Sequence, residues 1–238
     1  MPLTAAQLVA RACSEAGVPG FSAQAGDMLN MMLSELCQDY DFAQARGTLT
    51  FNLPTQVDAL NRCSMFFPGD YLRALPDECF YYISGVPYNL IPVDLSEFDN
   101  MVAQAGLSNF PVIFATDMST SPPTAFFWMP SSGAYQAILR YQRQMPDIAT
   151  PSTSPVIPWF VNQNYLLTRL TGELCKGYDD DRAAGLLSDD VPGGAGYILR
   201  HYIQMKDDAT NRAKTVKLDR RRFGGSFQNL RNTKLVGW

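Results

Sequence analysis

The chain of 238 residues has one histidine, His201. Ser-His-Asp and Cys-His catalysis both need an imidazole to carry the proton, so any such scheme would have to run through that residue. It sits in Arg-His-Tyr-Ile, inside an expected helix, and reads as a helix-face residue. A metal site with two histidines from one chain is excluded. The five cysteines, Cys13, Cys37, Cys63, Cys79 and Cys175, form no Cys-x-x-Cys pair. Neither a zinc knuckle nor a redox dithiol is therefore expected, and an odd number at wide spacing reads as buried free thiols made in a reducing cytosol. No Gly-x-x-x-x-Gly-Lys-Ser/Thr loop occurs, which excludes a P-loop. No apolar run reaches the length of a membrane-spanning helix, so no membrane partner is expected. Met-Pro-Leu-Thr-Ala-Ala has no basic region ahead of an apolar run, and a secretory leader is not expected either.

Carboxylates are the one catalytic resource in supply: Asp39 with Asp41, Asp77 with Glu78, Asp94 with Glu97, Asp179 to Asp181, and Asp189 with Asp190. A glycosidase needs two of them roughly 5 to 10 Å apart across a cleft. Adjacent acidic residues more often mark solvated loops or helix N-termini. The acidic triplet lacks the alternating spacing and trailing Glu of a calcium loop. Gly193-Gly-Ala-Gly196 follows no strand and reads as a break between helices, not as a nucleotide loop. No catalytic residue, metal or cofactor is assigned.

Apolar residues make up 46% of the chain and charged residues 18%, enough for a packed core. Charge is uneven. From Asn211 to Trp238 there are eight basic residues and one acidic, +7, against −4 for the whole chain, which leaves −11 on the rest. A basic tail on an acidic body points to an acidic partner for the tail.

Thr4-Ala-Ala-Gln7 has the form of a capping box, opening a helix through Ala16 that Gly17 closes. Ser22 is placed to cap a second helix, whose stripe Ala25, Met28, Leu29, Met32, Leu33, Leu36, Cys37 and Tyr40 has helical spacing. The short linker between the two implies that they pack together. From Gly47 the texture turns to strands: Thr48–Leu53, Tyr71–Leu75 (ended by Pro76), and a hairpin from Cys79–Ile83 through Ser84-Gly85 to Val86–Ile91. A short helix follows over Leu95–Ala105 with Ser96 as cap, then strands at Val112–Ala115, Ala125–Met129 and Tyr135–Gln142. Pro146–Pro158 reads as an extended connection. Trp159–Lys176 and a piece through Leu187 read as helices, and Tyr197–Lys217 as a long one with Ile198, His201, Tyr202 and Met205 on one face. The expected fold class is α+β: an N-terminal helix pair (1–45), a central small antiparallel β-sandwich or barrel (46–146), C-terminal helices (147–217) and an extended basic arm (218–238).

That arm is the most informative segment. Arg220, Arg221, Arg222, Arg231 and Lys234 are interleaved with Phe223, Phe227, Leu230, Leu235 and Trp238. Such a mixture suits an acidic protein groove, where Arg pairs with carboxylates and aromatics fill pockets; it also suits nucleic acid.

The order and texture resemble the head-to-tail adaptor (connector) proteins of short-tailed bacteriophages. The resemblance runs from the Thr4 to Tyr40 helix pair through Phe67-Pro-Gly-Asp-Tyr-Leu-Arg-Ala-Leu75, which is similar to the family's "Leu-Pro-Asp-Asp-Tyr-Leu-Arg" segment. It continues through the hairpin and helix at Ile83–Asp99, the strands around Ala125-Phe-Phe-Trp-Met-Pro and Leu139-Arg-Tyr-Gln-Arg143, and the stretch Asp179-Asp-Asp-Arg-Ala-Ala184 after a helix. The glycine break at Gly193–Gly196 and the long basic tail depart from the pattern. The resemblance implies a structural virion protein, made in the host cytoplasm, with no enzymatic activity. It would form a ring, usually of twelve copies, below the portal protein at the capsid vertex. The ring would carry tail nozzle or tail fibre proteins and let genomic DNA pass through its lumen without specific binding. C-terminal segments of the family reach the portal, which would make the residues from Arg220 to Trp238 a portal-docking arm. The readings kept beside it are a virion-associated peptidoglycan hydrolase and a DNA-binding protein acting through the tail.

Overall fold

The computed structural model describes residues 2–58, 62–102, 110–128, 131–178 and 180–204. Among these the chain is α+β, with six α-helices and two four-stranded sheets. Its described residues divide into two compact units: a helical one built from the segment up to Arg46 together with residues 142–204, and a β-rich one at Gly47–Tyr141.

In the helical unit, α1 (Ala5–Glu15) opens with the expected capping box: the Thr4 hydroxyl accepts from the Gln7 N–H at 3.3 Å and the Gln7 side chain accepts from the Thr4 N–H at 3.0 Å. Its other early donors, the Ala5 and Ala6 N–H groups, reach the carbonyls of Val156 (2.8 Å) and Ser154 (3.1 Å), so the helix start leaves no orphan donors. Gly17 takes the left-handed φ of +77° that ends it. α2 (Ser22–Asp39) buries Ala25, Leu29, Met32, Leu33, Leu36 and Cys37, most of the stripe read from the spacing. Ser22 does not cap it. A 3₁₀ turn at Pro19–Phe21 feeds directly into the helix, Ser22 is already its first residue, and no side-chain cap bond forms.

α4 (Gln163–Lys176) starts later than Trp159. Asn162 caps it, accepting from the Tyr165 N–H at 3.1 Å, while Phe160 stays outside the helix as a fully buried core anchor. The Phe160 ring centroid lies 5.0 Å from Phe42, 5.3 Å from Tyr202 and 5.5 Å from Tyr165. α5 (Arg182–Leu187) and α6 (Ala195–Gln204) complete the unit; the rest of the expected long helix lies outside the described residues. Ahead of α4 the chain from 144 to 162 forms neither helix nor strand. It is strapped down. Asn30 accepts from the Ile148 N–H and donates to the Ile148 carbonyl, both at 3.1 Å, and Gln144 donates to Ser34 at 2.9 Å. The Gln163 amide brackets the Leu3 backbone at 2.7 and 2.9 Å.

In the β unit, β1 (Arg46–Asn52), β8 (Gln136–Arg143), β3 (Tyr71–Ile83) and β4 (Val86–Asn89) form one antiparallel sheet in that spatial order. The other sheet runs β2 (Cys63–Phe66), β7 (Thr124–Trp128), β6 (Ile113–Asp117), β5 (Ile91–Pro92). Neither closes into a barrel. The wholly antiparallel arrangement expected from the sequence needs correcting, because β5 and β6 are parallel. The cause is a change of sheet: the Leu90 N–H bonds the Cys79 carbonyl beside the first sheet, and the next N–H, of Ile91, bonds the Val112 carbonyl beside the second, at 2.8 and 2.9 Å. A parallel return needs a crossover, and α3 (Leu95–Val102) provides it. Its entry is made by the Asp94 carbonyl, which accepts from Glu97 and Phe98, so Ser96 is not the cap. Phe98 is fully buried over Ile113, Ala115 and Trp128, while Phe114, Ala125 and Phe127 point the other way into a core that Leu139, Tyr141 and Tyr81 of the first sheet share. Covered on both faces, β6 and β7 read as unbroken apolar runs for that reason.

Two further boundaries differ from the sequence reading. β2 went unread, being four residues long with two of them exposed. β3 does not end at Pro76 but runs on to Ile83, 13 residues in all. Its ladder with β4 begins only at Phe80, so a proline at 76 removes no donor from that ladder. The hairpin is as expected, with Ser84 and Gly85 both at positive φ (50° and 82°) as a two-residue turn of this kind requires. At the other end of the unit Gly47 faces Tyr141: a Cβ at 47 would sit 2.5 Å from the Tyr141 ring. All five cysteines are buried and none is in a disulfide, and burial pushes the Cys13, Cys63 and Cys175 thiols up.

The α4–α5 packing gives two substitutions of opposite sign. A Cβ at Gly172 would lie 2.8 and 2.9 Å from the Leu187 side chain, whereas one at Gly185 would meet nothing. Gly172→Ala is expected to destabilise by about 1–3 kcal/mol through overpacking. Gly185→Ala is expected to stabilise by about 0.5–1 kcal/mol through lower unfolded-chain entropy. Denaturant midpoints measure both, and equal signs would show that α5 does not rest on bare α4 backbone.

The β core sets a second expectation. Burial raises the phenol of Tyr71, and raises that of Tyr81 to about 12 with Tyr88 and Tyr135 alongside. A pKa raised by folding means stability that is intact below the unfolded value near 10 and lost as pH climbs toward the folded one. Tyrosinate absorbance at pH 11 should therefore lack these two residues while the protein is folded, and should gain them in a single step with unfolding.

Candidate docking surfaces

The residues that carried catalytic alternatives have structural occupations. His201 is half-buried on α6 with its ring 4.3 Å from Tyr197. The glycine run serves close packing. Gly193 has φ +94°, a Cβ at Gly194 would collide with the Ser188 carbonyl oxygen, and one at Gly196 would collide with the Asp189 carboxylate. The turn they rest on is held by the Ser188 hydroxyl, which accepts from the Asp190 and Val191 N–H groups at 3.1 Å. Glu78 pairs with Arg140 at 3.3 Å. Asp180 is gripped by Arg182, Nη2 at 2.6 Å and Nε at 3.0 Å; these side-chain bonds, with the Arg182 N–H, hold its carboxyl down at about 2. Asp41 is buried, and its backbone carbonyl accepts from Arg46. The Asp77 side chain and Asp179 lie outside the described part. Among the described residues no group of three or more His, Cys, Asp and Glu is placed to hold a metal ion, and no helix is long and apolar enough to cross a membrane.

The proposed arm residues, Arg220, Arg221, Arg222, Phe223, Phe227, Leu230, Arg231, Lys234, Leu235 and Trp238, all lie outside the described residues. What the structure does describe is the element that leads to them. Leu199 of α6 is buried in the helical core, and Ile198, Tyr202 and Ile203 pack half-buried against it. The Tyr202 hydroxyl accepts from Gln44 at 3.4 Å and its ring lies 6.1 Å from Phe42. The last described turn of α6 thus lies beside the segment that follows α2.

The outer face of α2 carries an open groove of about 550 Å³, lined by Asp27, Asn30, Met31, Ser34, Glu35 and Gln38 of the helix and by Asp147 of the strap. The helical positions are the polar complement of the buried stripe, one turn apart in succession. Glu35 is paired with Arg169, which also donates to the Tyr165 hydroxyl at 2.6 Å. Asp27 and Asp147 have no hydrogen bond or ion pair among the described residues. Met31 sits between them on the polar face, 70% exposed. Sequence reasoning missed this groove because it follows only the buried side of a helix. The available signal was Met31, an apolar residue out of phase with the core stripe.

On the β unit, all four residues of the edge strand β4 are exposed, and Val86, Tyr88 and Tyr82 put apolar surface there. In a two-residue hairpin the closing pair, Ile83 with Val86, exchanges both ladder bonds, so the next pair, Tyr82 with Pro87, turns its backbone groups outward. Pro87 therefore removes a donor from the free edge, a device that blunts strand addition.

No family model and no curated protein matches this chain. By its own geometry it is an α+β protein in which a β-rich unit interrupts a helical one along the chain.

Restoring the missing donor tests the edge. Pro87→Val should leave the thermal midpoint nearly unchanged and produce concentration-dependent association in light scattering, because an exposed apolar edge then has its full set of hydrogen-bonding groups. No association at any concentration would mean that the edge is already covered.

Proposed function

We propose that this chain is a structural virion protein of a short-tailed bacteriophage, a head-to-tail adaptor. In this reading copies form a ring below the portal protein, dodecameric as in the family the chain resembles. The two sheets act as a small sandwich that spaces the ring, tail nozzle or fibre proteins attach beneath it, and genomic DNA passes through the lumen.

The observation that carries the reading is the anchoring of α6. Four residues of that helix, Ile198, Leu199, Tyr202 and Ile203, are seated on the helical core, and six residues separate its last residue, Gln204, from the +7 segment that begins at Asn211. A rigidly held helix ahead of a run of Arg and aromatic residues is the layout of a docking arm: the body supplies position, and the arm supplies charge-paired and pocket-filling contacts to an acidic neighbour. The acidic remainder of the chain, at −11, supports the channel role, since a lumen of that sign does not hold DNA phosphates.

The test is attachment. The full chain mixed with portal should give a ring at the portal's narrow end by electron microscopy, while the protein alone stays monomeric or weakly associated. Truncation before Leu218 should leave the body folded and weaken attachment roughly 100-fold or more, the scale of losing several interface anchors. Normal docking by the truncated chain would remove the arm from the mechanism. Salt-sensitive duplex binding lost on neutralising Arg220 to Arg222 would favour the nucleic-acid reading instead.

A further inference from the structure

We infer that the free edge of β1 pairs with the same edge of a second copy, antiparallel and about a two-fold axis at Thr50. The inference uses only the β1 strand and its ladder with β8, and it is independent of the adaptor reading.

The two sheets leave four edges, and three of them are poor templates. β4 carries Pro87, β5 is two residues long and ends in Pro92, and β2 has four residues. β1 is different. From Gly47 to Asn52 it has no proline and no charged side chain, and β8 is its one neighbour in the sheet. Charge, proline and brevity are the usual means of keeping an edge from pairing, and this stretch has none of them.

The register shows which backbone groups face outward. The Leu53 N–H bonds the Tyr135 carbonyl at 2.8 Å, and Gly47 lies against Tyr141, six residues back along β1 and six onward along β8. The register is therefore continuous, and the odd-numbered residues turn their N–H and C=O groups toward β8. Those of Thr48, Thr50 and Asn52 point to the open side. Among the described residues no turn or loop backbone bonds to them. Their side chains are exposed, whereas Leu49 and Phe51 lie half-buried against the core.

A second copy is the occupant because the strand is its own complement. Laid antiparallel on itself about Thr50, it sets Thr50 against Thr50, Thr48 against Asn52 and Leu49 against Phe51. Every pair matches polar with polar or apolar with apolar, and no like charges meet, which is the pairing that stabilises a sheet. The outward residues then exchange roughly six backbone hydrogen bonds. A two-fold contact uses the edge of both copies and so closes at two. One short strand buries little area, so the dimer is weak, with a Kd of about 100 µM. Copies in a ring below a portal would all face the same way, so the two-fold pair belongs to the free protein and has to part before a ring forms.

Sedimentation equilibrium of the full-length protein tests this. The wild type should dimerise and go no further. Thr50→Lys and Thr50→Glu each put like charges face to face across the axis and should weaken dimerisation about tenfold or more. Their thermal midpoints should stay close to that of the wild type, because residue 50 is exposed. An equal mixture of the two variants should recover a mixed dimer to within about threefold of the wild-type affinity, which neither unfolding nor a contact away from Thr50 can produce. A wild type that stays monomeric up to about 1 mM would overturn the inference. So would association beyond two copies, indifference to both substitutions, or no recovery on mixing.

Discussion

The helical unit depends on burying aromatic rings that the sequence holds far apart. Phe42 follows α2, Phe160 lies in the strap, Tyr165 begins α4 and Tyr202 closes α6, and their rings meet in one cluster. Burying each such side chain contributes about 1.5–3 kcal/mol. The separation between Phe42 and Phe160 costs little in comparison, since loop-closure entropy grows only by about 0.6 kcal/mol for each doubling of length. A β-rich unit can therefore stand between two halves of one helical core without dissolving it.

The strap is the second constraint, and it is made of hydrogen bonds. A run rich in Pro, Ser and Thr borders α1, α2 and α4, and between its buried Ile148 and Phe160 it is fixed by polar contacts. Its backbone serves as acceptor for the first donors of α1 and as both donor and acceptor for Asn30. The same arrangement fixes Asp147 at the rim of the α2 groove. One set of bonds thus satisfies a helix terminus and shapes a surface.

What was legible in the sequence was local. The capping box, the α2 stripe, the Ser84-Gly85 turn and the apolar runs of β6 and β7 are written within windows of a few residues. What was not legible depended on distant partners. Nothing near Leu90 says that the chain changes sheets there, because the bonds that define the change go to Cys79 and Val112. Pro76 reads as a strand end until the short reach of β4 is known. Ser22 and Ser96 have the chemistry of caps, but a preceding 3₁₀ turn and the Asp94 carbonyl take those positions. The glycines at 193–196 read as a break; their actual requirement, close approach to the turn at Ser188 and Asp189, is tertiary. The groove was hidden for a related reason, since its lining is the side of α2 that core-seeking analysis discards.

Gly47 and Tyr141, the first and last residues of the β unit, stand against one another. A polypeptide insert that begins and ends at one place makes no demand on the length of its host, because the host sees only a short gap to be bridged. Such a cassette can be exchanged by recombination at two codon positions, altering what the β surfaces meet while the helical segments before and after it in the chain are inherited unchanged.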